Sequence, residues 1–315
     1  MKKYHWLLPL VYLLFTACRS DVTNPTTIID QATAQLSESG VNCIAIDGNA
    51  IYAGTKSDGV FLSTDNGKTW VKRNKGLVSN SNVSAISISG NDIFIGTVLG
   101  VYHSTDSGKH WTPKPIINLY YGSFYVNAIG IKGNSIFTSI NSGVFLSTDN
   151  GNSWTKKSYG QMTIPYSIAF FNDNIFLAGA NFGIYRSSDN GNNWVQALGK
   201  GITITSPNMI VANQNTLFAS NYYGVYTSTD NGDNWTKKNS ATTMTDVRAI
   251  AFSGNTVIAG SYGDGIFVSK DNGETWTARE LGIGNRFITS LGMSGNNLYI
   301  GTDGAGVFRA NVSDL

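Results

Sequence analysis

The fold this sequence predicts is an all-β, seven-bladed β-propeller, and three observations predict it. One octapeptide returns six times at a spacing near 41 residues. Each interval holds four short apolar runs bounded by turn residues, which is the content of one propeller blade. The composition disfavours helix: among 315 residues only Glu38, Glu274 and Glu280 are glutamates, while 35 are glycine. A hydrophobic share of 41% is enough for a sizeable core.

The elements follow in chain order. Lys2 and Lys3 precede an apolar stretch from Trp6 to Ala17, which is too short to span a membrane. Small residues Thr16 and Ala17 lead to Cys18. This resembles a bacterial lipoprotein signal, although Phe15 stands where such signals usually carry Leu. The resemblance implies a signal peptide at 1–17, a lipidated Cys18, a tether at 18–25 and one propeller domain at 26–315. It implies anchoring in the bacterial cell envelope, at the outer membrane or in a periplasmic or surface position, with plain secretion as the alternative. Cys43 occupies the place of Ala85, Ala128 and Ala249 in other repeats and reads as a small core residue.

Each repeat opens with alternation such as Val83-Ser84-Ala85-Ile86-Ser87-Ile88, strand A. A Gly-Asn turn follows (Gly48-Asn49, Gly90-Asn91, Gly133-Asn134, Gly254-Asn255, Gly295-Asn296) and leads into strand B, for example Ile93-Phe94-Ile95-Gly96. Gly59-Val60-Phe61-Leu62-Ser63 is the first strand C, and Trp70-Val71-Lys72-Arg73 the first strand D. Seven A strands begin near residues 41, 83, 126, 166, 208, 247 and 287, but the octapeptide that joins C to D occurs only six times. The last C strand, Gly306 to Arg309, has no D strand after it. Thr27-Ile28-Ile29-Asp30-Gln31 precedes Val41 by the usual D-to-A interval, so the N-terminus supplies the missing strand and closes the ring.

The octapeptide is S-T-D-N-G-K-T-W at Ser63, with its sisters starting at Ser104, Ser147, Ser187, Ser228 and Ser269. Its aspartates (Asp65, Asp106, Asp149, Asp189, Asp230, Asp271) suit acceptors for turn N–H groups. Its tryptophans (Trp70, Trp111, Trp154, Trp194, Trp235, Trp276) suit covers for the blade's apolar face. A calcium loop would need a distal Glu that is missing, so no metal is expected. The motif is similar to the Asp box, or bacterial neuraminidase repeat. That resemblance covers residues 26 to 310 and implies a propeller. Its families include sialidases, xyloglucanases, sortilin-type receptors and photosystem II assembly factors, so it implies no single activity.

Without Lys2 and Lys3 the chain carries 20 basic and 20 acidic residues, which argues against nucleic acid as a partner. Resemblance to sialidases implies three clamping arginines, a Tyr nucleophile with a Glu, and an Asp acid/base. Only Arg248 and Arg286 fall near a D–A loop, and no Glu lies between Glu38 and Glu274, so sialidase chemistry is not expected. A carboxylate-pair glycosidase remains the alternative, with Asp58, Asp264 and Asp303 in the B–C loops of neighbouring blades and Asp246 nearby. The competing reading makes Asp58-Gly59 and Asp264-Gly265 ordinary turns. Histidines are confined to His5, His103 and His110, so neither a nucleophilic triad nor a zinc or haem site is expected.

The B–C and D–A loops share one face, and that face is aromatic. It carries Tyr120, Tyr121, Phe124, Tyr125, Tyr166, Phe182, Tyr222, Tyr223 and Tyr262. Tyrosines with little flanking charge suit contact with a protein or a glycan. The expectation is therefore a monomeric, cofactor-free propeller that binds a protein or glycan through this face without catalysis. The alternatives are a glycoside hydrolase using apical Asp residues and an assembly factor for a membrane complex.

Overall fold

The computed structural model describes residues 30–31, 36, 39–79, 81–116, 125–157, 164–179, 183–197, 204–238, 243–284 and 287–315. The leader and Cys18 lie outside them, as do Tyr120, Tyr121, Phe124, Phe182 and Arg286. Among the described residues, 28 strands form seven antiparallel four-stranded sheets. Blade one consists of Val41–Asp47, Ala50–Thr55, Val60–Ser63 and Val71–Lys72, in the order A to D. The other A strands are Val83–Ser89, Val126–Lys132, Pro165–Phe171, Met209–Ala212, Val247–Ser253 and Ile288–Ser294. Tyr166, expected in a D–A loop, lies inside strand A of blade four, Pro165–Phe171.

The ring closes as the missing octapeptide requires. Strand Asp30–Gln31 pairs antiparallel with the last strand, Val307–Asn311, in the register Asp30↔Arg309 and Gln31↔Phe308. Leu36, fully buried, packs in one cluster with Val41, Ile51, Phe61 and Trp70 of blade one and with Tyr299 and Val307 of blade seven. The N-terminal segment thus joins the first and last blades through both backbone pairing and apolar burial.

The A strands pack side by side around a central channel, the seventh against the first. In blades one, two, six and seven this contact is close because strand B carries glycine (Gly54, Gly96, Gly260, Gly301) where the next A strand crosses. A β-carbon at Gly54 would meet Val83 Cγ1 at 2.7 Å, and one at Gly260 would meet Ile288 Cγ2 at 2.5 Å. Cys43 fills the expected Ala position, half-buried beside the channel, and burial pushes its thiol up to about 12, which disfavours the thiolate.

Each octapeptide folds the same way. The Ser hydroxyl donates to the Asp carboxylate and accepts from the Gly N–H, at 2.8 and 2.9 Å in the first copy. The carboxylate then accepts from the backbone N–H and the side chain four residues on, Thr69 in that copy, at 2.9 and 2.6 Å. Asn66 and Gly67 both take left-handed backbone, φ 61° and 82°. Hydroxyl hydrogen bonds from Thr69, Ser153 and Thr275 are the largest cause holding Asp65, Asp149 and Asp271 at a pKa of about 2. The motif's residues are engaged in turn architecture.

The tryptophans do more than cover one blade. Trp111 clusters with Tyr52 and Leu62 of the blade before it, and its indole donates to Arg73 O at 2.8 Å. Trp194 and Trp235 likewise donate to Lys157 O and Ala197 O on the preceding blade. The box Trp is therefore a wedge between blades as well as a lid on its own. Arg186 and Arg309 extend this seam, donating to Asn231 O and Asn66 O in the neighbouring boxes.

Candidate functional site

The face formed by the B–C and D–A loops is built on short, cross-bonded connections. Gly59 N–H donates to Ser81 O, Tyr262 N–H to Asp246 O and Asp303 N–H to Phe287 O, each pairing a B–C loop with a D–A segment. Side chains presented here sit on a stiff support. Among the described residues the large apolar side chains more than a third exposed are nine, and seven of them belong to this end: Val78, Val98, Leu99, Tyr166, Tyr222, Tyr223 and Phe287. Tyr222 and Tyr223 are the most open, at 62% and 60%, and meet edge to face with centroids 5.6 Å apart. These exposed apolar side chains are spread over the loops of several blades at one end of the ring.

The channel opens on this face. Its mouth is a cavity of about 510 Å³ lined by one side chain from the start of each A strand: Asn42, Ser84, Asn127, Tyr166, Asn208, Arg248 and Thr289, with Tyr125 beside them. Six of the seven are bulge residues, because the A–B register slips at Val41/Cys43, Val83/Ala85, Val126/Ala128, Pro165/Ser167, Val247/Ala249 and Ile288/Ser290. A bulge leaves one residue without a ladder partner and re-aims its side chain. A second cavity of about 310 Å³ adjoins the mouth along the channel, and its wall includes Ile44, Ile86, Ile129, Ile168, Ile250 and Leu291.

A charged chain borders the mouth on blades six, seven and one. Lys56 Nζ meets Asp303 Oδ1 at 2.6 Å, and Tyr262 donates its hydroxyl to Asp303 Oδ2 at 2.5 Å. The Arg248 guanidinium lies 3.6 Å from the Tyr262 ring centroid and pairs with Asp246 through Nε and Nη2 at 3.2 and 2.8 Å. Phe287 also packs on Tyr262, with centroids 4.9 Å apart. The Lys56 hydrogen bond, followed by that from Tyr262, holds the Asp303 carboxyl below its ordinary pKa, and the same bond to Asp303 raises the Tyr262 phenol.

The three candidate apical acids are engaged in different ways. Asp264 Oδ2 accepts from Thr245 N–H at 2.9 Å, from Thr245 Oγ1 at 2.6 Å and from Ser261 Oγ at 3.2 Å, so it stitches a D–A loop to a B–C turn. Asp58 accepts from Ser39 Oγ at 2.9 Å, and that bond is the first cause holding its carboxyl below the ordinary value. Gly59 and Gly265 have φ of 79° and 84°, as the turn reading requires. A glycosidase's general acid needs a carboxyl whose proton is retained; Asp58 and Asp303 are shifted the opposite way.

Of the aromatic candidates inside the described residues, Tyr222 and Tyr223 are open, Tyr262 is locked in the charged chain, and Tyr125 lines the mouth. Val98, Leu99, Phe287 and the polar ring join this face without belonging to the aromatic set that the sequence predicts. A signal for the ring was there: Val41-Asn42-Cys43, Val83-Ser84-Ala85, Val126-Asn127-Ala128 and Val247-Arg248-Ala249 repeat a polar residue between two small or apolar ones.

The repeats, their folded geometry and the closed ring together make this chain an Asp-box β-propeller. Residues 61–72 match the BNR/Asp-box repeat, and residues 166–287 match the family described as DUF6242 beta propeller domain. No curated protein matches the chain. Among solved structures it is similar to YCF48 bound to D1 peptide, with 16% identity and a TM-score of 0.72, over 90% of this chain and 96% of that one. YCF48 from Cyanidioschyzon merolae gives 16% and 0.71, over 91% and 99%. The GH74 enzyme of Niastella koreensis gives 21% and 0.64, over 87% of this chain but 43% of the enzyme. At these identities the likeness is one of fold.

Proposed function

We propose that this propeller is a non-catalytic docking platform of the bacterial cell envelope, held by a lipid on Cys18, that binds a protein segment across its B–C/D–A face. The observation that carries the reading is the gathering of exposed Tyr222, Tyr223, Leu99, Val98, Val78 and Phe287 on that face, over loops tied by backbone hydrogen bonds. The similar fold of YCF48, described in complex with a D1 peptide, supports a protein as the occupant. The lowered carboxyls of Asp58 and Asp303 weigh against the hydrolase alternative.

The test compares variants of the full chain for capture of envelope proteins, quantified by mass spectrometry. A species retained by the parent and lost by Tyr222→Ala/Tyr223→Ala, yet retained by Val71→Ala/Val195→Ala on exposed D-strand positions, supports the platform. Equal retention by both double variants overturns it.

A further inference from the structure

We infer that the channel mouth takes a primary ammonium group, presented as a lysine side chain or a chain N-terminus by the segment that docks on this face. The inference rests on the platform reading and adds the chemistry of its anchor. It follows from where the hydrogens of the polar ring go.

The Asn42 amide spends both Nδ2 hydrogens, on Asn82 Oδ1 and on Val83 O of the next blade, each at 3.0 Å. Asn208 spends both of its own, on Asp246 Oδ1 at 3.0 Å and Val247 O at 3.4 Å. Val83 O, Val247 O and the Asp246 carboxylate accept only, so neither amide can be turned the other way round. The single hydroxyl hydrogens of Ser84 and Thr289 go to backbone carbonyls of the following blade, Val126 O and Val41 O. Tying each blade to the next thus uses up the donors of these four side chains. What they offer a guest in the cavity they line is oxygen: two amide carbonyls and two hydroxyl lone-pair sets.

Asn127, with one Nδ2 hydrogen on Asn141 Oδ1, and the Tyr166 hydroxyl are donors of the same rim, but the other four side chains present acceptors alone, and a guest that matches those four brings donors and no acceptor of its own. An ammonium does so, with three N–H groups; an alcohol carries lone pairs that would face oxygen, and a carboxylate carries nothing else. The bonds formed are charge-assisted and therefore the stronger kind. The aromatic rings of Tyr125 and Tyr166 border the same cavity and favour a cation. Arg248, the one cation of the ring, faces Asp246 through Nε and Nη2 and stacks on Tyr262, so the nearest charge to its guanidinium is a carboxylate.

The test titrates the full chain with n-butylammonium, 1-butanol and butyrate, read by ligand-observed NMR. The expected order places butylammonium roughly tenfold tighter than either control. Asn42→Ala and Thr289→Val, each checked for an intact thermal transition, should weaken it by about threefold or more. Nα-acetyl-lysine amide and glycinamide then distinguish a lysine head from an N-terminal amine; preference for either over acetamide supports the assignment. Butyrate or butanol binding as well as butylammonium overturns it, as does an ammonium affinity unchanged in both folded variants. If the ammonium preference is absent while Tyr222→Ala/Tyr223→Ala still abolishes partner capture, the anchor chemistry fails and the platform stands.

Discussion

Leu36→Ala tests how the ring is closed. Leu36 is fully buried and belongs to one cluster with side chains of the first and last blades. The substitution removes three carbons, worth about 2.4 kcal/mol at ~0.8 kcal/mol per buried carbon. The cavity left behind raises the cost toward about 5 kcal/mol where the walls do not collapse. The wall here includes Tyr299, Val307 and Trp70, each anchored in a different strand or turn, so collapse is restricted. A ring of this length unfolds with an entropy near 0.6 kcal/mol/K, from ~2.1 cal/mol/K per residue, so Tm should fall by roughly 4 to 8 °C. Urea unfolding followed by tryptophan fluorescence gives the free energy independently, because box tryptophans line the seams throughout the ring. A loss under about 1 kcal/mol would refute the argument that this segment seals the ring by apolar burial.

Other consequences can be checked alongside. Ser228→Ala removes a buried hydroxyl that donates to Asp230 and accepts from Gly232 N–H; calorimetry should show a loss of about 1–3 kcal/mol. The folded-state pKa values of Asp65, Asp149 and Asp271 lie near 2, below the ordinary 3.8. Their contribution is therefore complete above about pH 4 and is lost as pH falls toward 2, so Tm should drop across that window, and a flat Tm would contradict the hydrogen-bond account. Asp264→Ala deprives the Thr245 N–H and the Thr245 hydroxyl of their acceptor, while the Ser261 hydroxyl keeps Thr245 O, so amide exchange should quicken in the Thr245 and Ser261 loops while the opposite side of the ring keeps its protection.

The fold was legible because its determinants are local and repeated. A Ser, an Asp, a Gly and a Trp within eight residues close each C–D turn by bonds that span at most four positions. The missing seventh copy even announced the closing strand. The site was less legible, since its geometry is assembled across the ring. Lys56 and Asp303 are 247 residues apart in sequence and meet only because blade seven lies beside blade one. Asn42 and its sisters reach the mouth through bulges, and an alternation pattern contains no sign of an inserted residue. The B–C loop aspartates drew notice as a carboxylate set, yet Asp264 is taken up by Thr245 and Ser261, which are remote or unremarkable in the sequence. Tyr222 and Tyr223 were found because two adjacent tyrosines in a short B–C loop have no blade interior to enter.

Site-specific photo-crosslinking on the full chain separates the loop face from the outer wall of the ring as the surface that meets a partner. A photoreactive residue is placed in turn at Leu99, Tyr223, Val71 and Val195, all more than half exposed. Crosslinks to one partner species are expected from Leu99 and Tyr223 on the loop face, and none to it from the outer D-strand positions Val71 and Val195. Crosslinks to that species from Val71 or Val195, with Leu99 and Tyr223 silent, would place recognition on the outer wall of the ring and contradict the account.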